Sequence, residues 1–169
     1  MRTPFGRLVL AGPLLAMSAC GAMHQQQDKA ELPAGAVALP PDQVERIVAR
    51  PYSGIAEPRR SVIRDSAAWA RFWAEAAGDL VPSPPPPPVA FDQKMAVVVA
   101  MGRRRTGGHA ITVENVYRAG GRLYVVVRET TPGPGCFVTQ ALTFPVEVVL
   151  LPRTDEPVSF IERREEVAC

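Results

Sequence analysis

Apolar and polar residues alternate along this chain with two different periods, and the change from one to the other marks its elements. After residue 65 the apolar positions fall at Trp69, Phe72, Trp73 and Ala76, the i, i+3, i+4, i+7 spacing of one helical face. Asp65 or Ser66 can cap the start of this helix, and Gly78 can close it. Both tryptophans lie on that stripe, so it is either a face packed on a sheet, which we expect, or an aromatic platform for a ligand. Just before it, "SVIR" predicts a short strand. Past residue 90 the helical period disappears. "KMAVVVAMG" is almost wholly apolar and predicts a central strand buried on both faces. "HAITVENVYR", "RLYVVVRET", "FPVEVVLLP" and "VSFIER" follow, separated by Gly or Pro at spacings that suit hairpins. In "YRAGGRLY", Gly120 and Gly121 can take the positive φ of a tight turn. One helix followed by antiparallel strands predicts an α+β fold, a mainly antiparallel β sheet or sandwich with one amphipathic helix packed on it.

Two stretches carry neither period. Residues 21–45 are rich in Ala, Gln, Gly and Pro, which predicts a flexible tether ahead of a single β-rich domain at 46–169. "VPSPPPPPV" places five prolines at Pro84–Pro88, an extended left-handed rod without backbone donors. Such a rod docks in an aromatic groove of a partner module or serves as a rigid connector between helix and sheet. The connector is the expectation, because the modules that take proline tracts are mostly cytoplasmic.

That objection depends on the amino terminus. Arg2 and Arg7 precede an apolar run from Leu8 to Met17, then small residues ending at Cys20, the layout of a secretory signal too short to span a bilayer stably. "MSAC" resembles a bacterial lipobox, which implies a signal peptide at 1–19 and acylation of Cys20 as the first mature residue. The alternative is an ordinary cleaved signal with an incidental cysteine. Several acyl chains would hold the chain on a membrane, at about 0.8 kcal/mol per buried methylene. Gly21 rather than Asp after the cysteine points to the outer membrane of a Gram-negative envelope. Losing Arg2 and Arg7 lowers the 19 basic residues to 17, equal to the acidic ones. A neutral mature chain gives no reason to expect a nucleic-acid partner.

Candidate chemistry is sparse. "MGRRRTGGHAITV" joins two strands through Arg103, Arg104, Arg105, Thr106, Gly107, Gly108 and His109. A phosphate-binding loop would need a Gly-Lys-Ser/Thr ending that feeds a helix, and a strand pattern follows here. What remains is a solvated turn, with Gly107 and Gly108 supplying unusual backbone angles, or a small site for an anion or carboxylate. His109 is the one histidine of the domain, and His24 stands alone in the tether, so neither a Ser-His-Asp relay nor a metal site is expected. Glu114 and Glu129 fall on adjacent strands and could face one another as paired carboxylates, although strand glutamates usually face solvent. With Cys20 acylated, Cys136 and Cys169 are an even pair in an oxidising compartment. They are either bridged, closing about 30 residues, or two unrelated thiols.

"VVVAMGRRRTGGHAITVENV" and "LYVVVRETTPGPGCFVTQALTFPVEVVLLPR" together resemble the carboxy-terminal domain family of PrcB, accessory lipoproteins of a bacterial surface protease complex. The shared pattern includes Thr106-Gly107-Gly108, Glu129, Pro132, Gly135, Thr143, Pro145 and a last Val-rich strand ending at Pro152. The resemblance extends over about residues 60–162. His109 stands where the family often has an aromatic residue, and Cys136 interrupts the glycine turn. The family offers no catalytic residues to carry over. It implies a non-enzymatic role in binding or stabilising a partner; with the lipid anchor, the expectation is an accessory protein that docks on another envelope protein, a protease among the candidates, with no cofactor or metal. The competing expectation is an envelope domain that binds a small molecule or anion at Arg103–Arg105; an envelope hydrolase ranks last.

Overall fold

A computed structural model describes residues 31–78 and 84–169. Its strands are β1 (Val37–Ala38), β2 (Glu45–Arg50), β3 (Arg59–Ile63), β4 (Lys94–Ala100), β5 (Ala110–Ala119), β6 (Arg122–Pro132), β7 (Val146–Pro152) and β8 (Val158–Val167), with one α-helix among the described residues, α1 (Ser66–Ala77), between β3 and β4, and a single 3-10 turn at Pro41–Gln43. They form two four-stranded sheets, ordered β2-β7-β4-β3 and β1-β5-β6-β8.

Three layers result, and the middle one explains the unbroken apolar runs. Ala96, Val98 and Ala100 of β4, with Val146, Val148 and Leu150 of β7, pack under Trp69, Phe72, Trp73 and Ala76 of α1. The alternate residues Met95, Val97 and Val99 of β4, with Val149 and Leu151 of β7, meet Ile111, Val113, Leu123, Val125 and Val127 of the other sheet. A strand covered on both sides has no polar face to declare.

The helix starts where its cap allows. Asp65 accepts a hydrogen bond from the Ala68 amide at 2.7 Å, and Gly78 ends the helix with φ 60°. Its tryptophans are held at their polar edges: Trp73 Nε1 donates to the Pro84 carbonyl at 2.8 Å and Trp69 Nε1 to Pro87 at 2.9 Å. Prolines lack donors but keep carbonyls, so the rod fastens along the helix as an acceptor strip.

Both gaps between the sheets are closed by an arginine and a glutamate. On one side Glu147 of β7, 1% exposed, accepts from Arg46 Nη1 at 2.5 Å and from the Val113 amide, while Arg46 Nη2 donates to the Val113 carbonyl at 2.6 Å. On the other, Arg60 of β3 donates to Glu129 of β6 at 2.6 Å and to Glu162 of β8 at 2.8 Å. Regular pairing is interrupted beside the first clamp, between Arg46 and Val48 and again between Val113 and Asn115.

Several expectations change. Val37–Ala38 pairs with Tyr117–Arg118 of β5, and Leu39 and Val44 pack on the core, so the fold begins inside the stretch assigned to the tether. A two-residue edge strand leaves no pattern to detect. β6 pairs antiparallel with β5 as the glycine turn implies, with Gly120 and Gly121 at φ 55° and 69°. β7, however, crosses to the other sheet, and β8 returns parallel to β6, so neither is a hairpin partner of the strand before it. Arg103–His109 likewise spans the two sheets, from β4 to β5.

Candidate functional site

One pole of the sandwich gathers the bend after β4, the loop Gly133–Pro145 after β6 and the end of β8. The bend is fastened at its start: Gly102, φ 71°, lies so close to residues 56–58 that a Cβ would come within 2.7 Å of the Pro58 nitrogen. The Arg103 amide donates to the Ala56 carbonyl at 2.8 Å. Arg104 and Thr143 exchange backbone hydrogen bonds at 2.8 and 3.0 Å, and Thr143 Oγ1 donates to the Thr106 carbonyl at 2.8 Å. The Gly107 amide donates to Thr139 at 2.8 Å. Gly108 has φ 82°, whereas Gly107 is not in the left-handed region, so only one of the two glycines supplies the unusual angle.

This fastening bears on anion binding. An anion cradle works through backbone amides aimed at the ligand. Here the amides of Arg103, Arg104 and Gly107 are already spent on carbonyls. What the bend offers outward is its guanidinium groups: Arg103 and Arg105 are exposed, and none of the three arginines is ion-paired with a described residue.

His109 is half-buried, with Nε2 3.3 Å from Thr106 Oγ1 and Nδ1 shielded from solvent without a partner among the described residues. Burial, and then the nearby charge of Arg104, hold it below the ordinary histidine pKa. No carboxylate among the described residues hydrogen-bonds it, and no three His, Cys, Asp or Glu among them are grouped to hold a metal. Glu114 and Glu129 do not form a carboxylate pair. Glu129, 8% exposed rather than solvent-facing, binds Arg60 and Arg164, while Glu114 binds Arg128 and Arg163. A groove of about 600 Å³ runs past Glu114, Arg128, Arg163 and Glu165, but its charges already neutralise one another.

Cys136 and Cys169 are bridged, with Cα atoms 5.5 Å apart and a sequence separation of 33. The bond ties the last residue to the loop, and the Gly133 amide adds a hydrogen bond to Val167 at 2.9 Å. Cys20 and His24 lie outside the described residues.

The pole also holds residues that composition did not flag. Phe137, next to the disulfide, is fully exposed; Leu142 of the same loop and Tyr52 of the loop after β2 are 52% and 56% exposed. The Phe144 amide ties these two loops together by donating to the Pro51 carbonyl at 2.8 Å. The available signal was an aromatic residue set in a Gly- and Pro-rich stretch with no strand period.

Residues 95–152 match the model of the family described as PrcB C-terminal. No curated protein and no solved structure gives a significant match. The matched segment runs from β4 to the end of β7 and takes in the bend, the loop and Phe137; β2, β3, α1 and β8 lie outside it.

Proposed function

We propose, taking residues 95–152 as a PrcB C-terminal segment, that this chain is a non-catalytic accessory protein of the bacterial envelope. Its folded domain docks on another envelope protein, a surface protease first among the candidates, and an acylated Cys20 holds it at the outer membrane. The observation that carries this reading is the coincidence of the matched segment with a pole that displays Phe137, Leu142 and arginines without an ion-pair partner among the described residues, all on fastened loops. Aromatic and arginine side chains of that kind are what protein interfaces concentrate.

The test combines anchoring with association. Mass spectrometry of the mature protein should find the lipid on Cys20, Cys20→Ala should release the protein from membranes, and a surface protease should lose activity or abundance when the gene is deleted. An unmodified Cys20, together with unchanged envelope proteolysis in the deletion strain, would refute the reading.

The three guanidinium groups, none ion-paired with a described residue, favour one alternative, a site for a small anion or carboxylate at Arg103–Arg105. It predicts that phosphate or citrate raises the melting temperature and that replacing the three arginines by alanine abolishes the rise. Under the docking reading neither anion has a specific effect.

A further inference from the structure

We propose that Phe137 is the apolar anchor of the docking surface, that Arg103 and Arg105 are its cationic rim, and that the occupant is a folded envelope protein presenting an apolar pocket bordered by carboxylates. This rests on the accessory-protein reading and specifies the partner's chemistry.

Phe137 differs from the other described phenylalanines. Phe72 is buried, and Phe91, Phe144 and Phe160 are partly buried. Its exposure is enforced by its neighbours. Cys136 is bonded to Cys169 and hydrogen-bonded to the Gly133 carbonyl, while two residues on Thr139 accepts from Gly107. The backbone between two such fixed points has little conformational freedom left to lose, so docking Phe137 need not order the loop that carries it. Leu142 and Val167, 52% and 39% exposed, add apolar surface on the same loop and on the strand end tied to it.

The rim selects the partner's charge. Elsewhere on the body Arg46, Arg60, Arg118 and Arg128 are neutralised within the chain, and Arg50 and Arg122, which have no described carboxylate, donate instead to the Ala76 carbonyl and to Ser159. Arg103 and Arg105 reach solvent with no described carboxylate in range, and a surface that offers carboxylates supplies what they lack.

β7 runs away from the bend from Val146 to Pro152, so Asp155 marks the opposite pole, about 20 Å away at roughly 3.4 Å per residue.

The test is site-specific photocrosslinking of the full-length protein in its own envelope, with p-benzoylphenylalanine replacing Phe137 or, at the far pole, Asp155. The expected result is an adduct with one protein from position 137 and none from 155. Peptide mapping should place it in a segment rich in Asp and Glu, and combining Arg103→Glu with Arg105→Glu should abolish it. Phe137→Ala should weaken association with that protein about 30-fold while leaving the urea midpoint unchanged. An adduct at 155 alone overturns the inference and leaves the accessory reading standing. A lipid adduct at 137, or a protein adduct indifferent to charge reversal, also overturns it. Absence of any adduct at both positions overturns the two together.

Discussion

The clamp at Glu147 makes an asymmetric prediction, because its two members differ in access to water. The Glu147 side chain is 2% exposed and the Arg46 side chain 47%. Removing one member of a buried ion pair costs about 3–5 kcal/mol when the other is left as a stranded charge. Arg46→Met keeps the apolar stem but strands the Glu147 carboxylate between two sheets, so the cost belongs in that range. Glu147→Gln leaves no stranded charge, since Arg46 can turn to solvent. Its amide oxygen still accepts from the Val113 amide, and the loss falls to about 1–3 kcal/mol, that of weakened hydrogen bonds.

Urea unfolding followed by the fluorescence of Trp69 and Trp73, both buried under the middle sheet, reads these differences. With an m value of about 2 kcal/mol/M, Arg46→Met should lower the midpoint by roughly 1.5–2.5 M and Glu147→Gln by roughly 0.5–1.5 M. The double variant should be more stable than Arg46→Met alone, because it removes the charge that the single change strands. Additive losses, or a larger loss for Glu147→Gln than for Arg46→Met, would refute the account.

Three further outcomes follow from named residues. Cys136→Ser with Cys169→Ser should destabilise the protein by about 3–4 kcal/mol, the chain-entropy value for a loop of this length, measured as a urea midpoint under oxidising conditions. His109 should titrate below the ordinary value of about 6.5 in a proton NMR titration, and Arg104→Gln should move it upward. Because its folded-state pKa is lowered, its contribution to stability is complete above pH 6.5 and is lost as pH falls through the lowered value. Gly54→Ala should prevent stable folding, since the new Cβ would lie 2.0 Å from the Glu75 carbonyl. Gly120→Ala, with nothing within 4 Å, should cost only the 1–2 kcal/mol of a left-handed alanine, as thermal unfolding of the two variants will show.

Much of the fold was legible because each visible element had one decisive local signal. The α1 stripe, the Asp65 cap and the Gly120-Gly121 turn are short-range features, and the structure realises all three. Partner choice was not legible. A period of two says which face of a strand is buried but not which strand lies beside it, so the crossing of β7 and the parallel return of β8 had no local sign. Glu147 was visible as a lone acid in "VEVVLL", a run otherwise buried on both faces, and burial demanded a partner. Arg46 lies 101 residues away, and nothing local names it. The bend was legible as a turn, but its ties to Thr139 and Thr143 were not, and those ties take up the Gly107 and Arg104 amides that an anion would otherwise use.

The clamps also explain how the matched segment becomes a domain. Residues 95–152 contribute neighbouring strands to both sheets, β4 and β7 in the middle layer and β5 and β6 in the outer one. Taken alone, that segment leaves Ala96, Val98, Val148 and Leu150 without α1 above them and both middle strands without β2 and β3 at their edges. The flanking strands attach by charge as well as by backbone: Arg46 of β2 reaches Glu147, and Arg60 of β3 reaches Glu129, so each arginine comes from outside the segment and each glutamate from within it. The separated segment would therefore carry two buried acids without their cations and an uncovered apolar face, and a fragment of residues 95–152 should show no cooperative thermal transition where the full chain shows one. A cooperative transition in that fragment would mean that the clamps decorate a core already sufficient by itself.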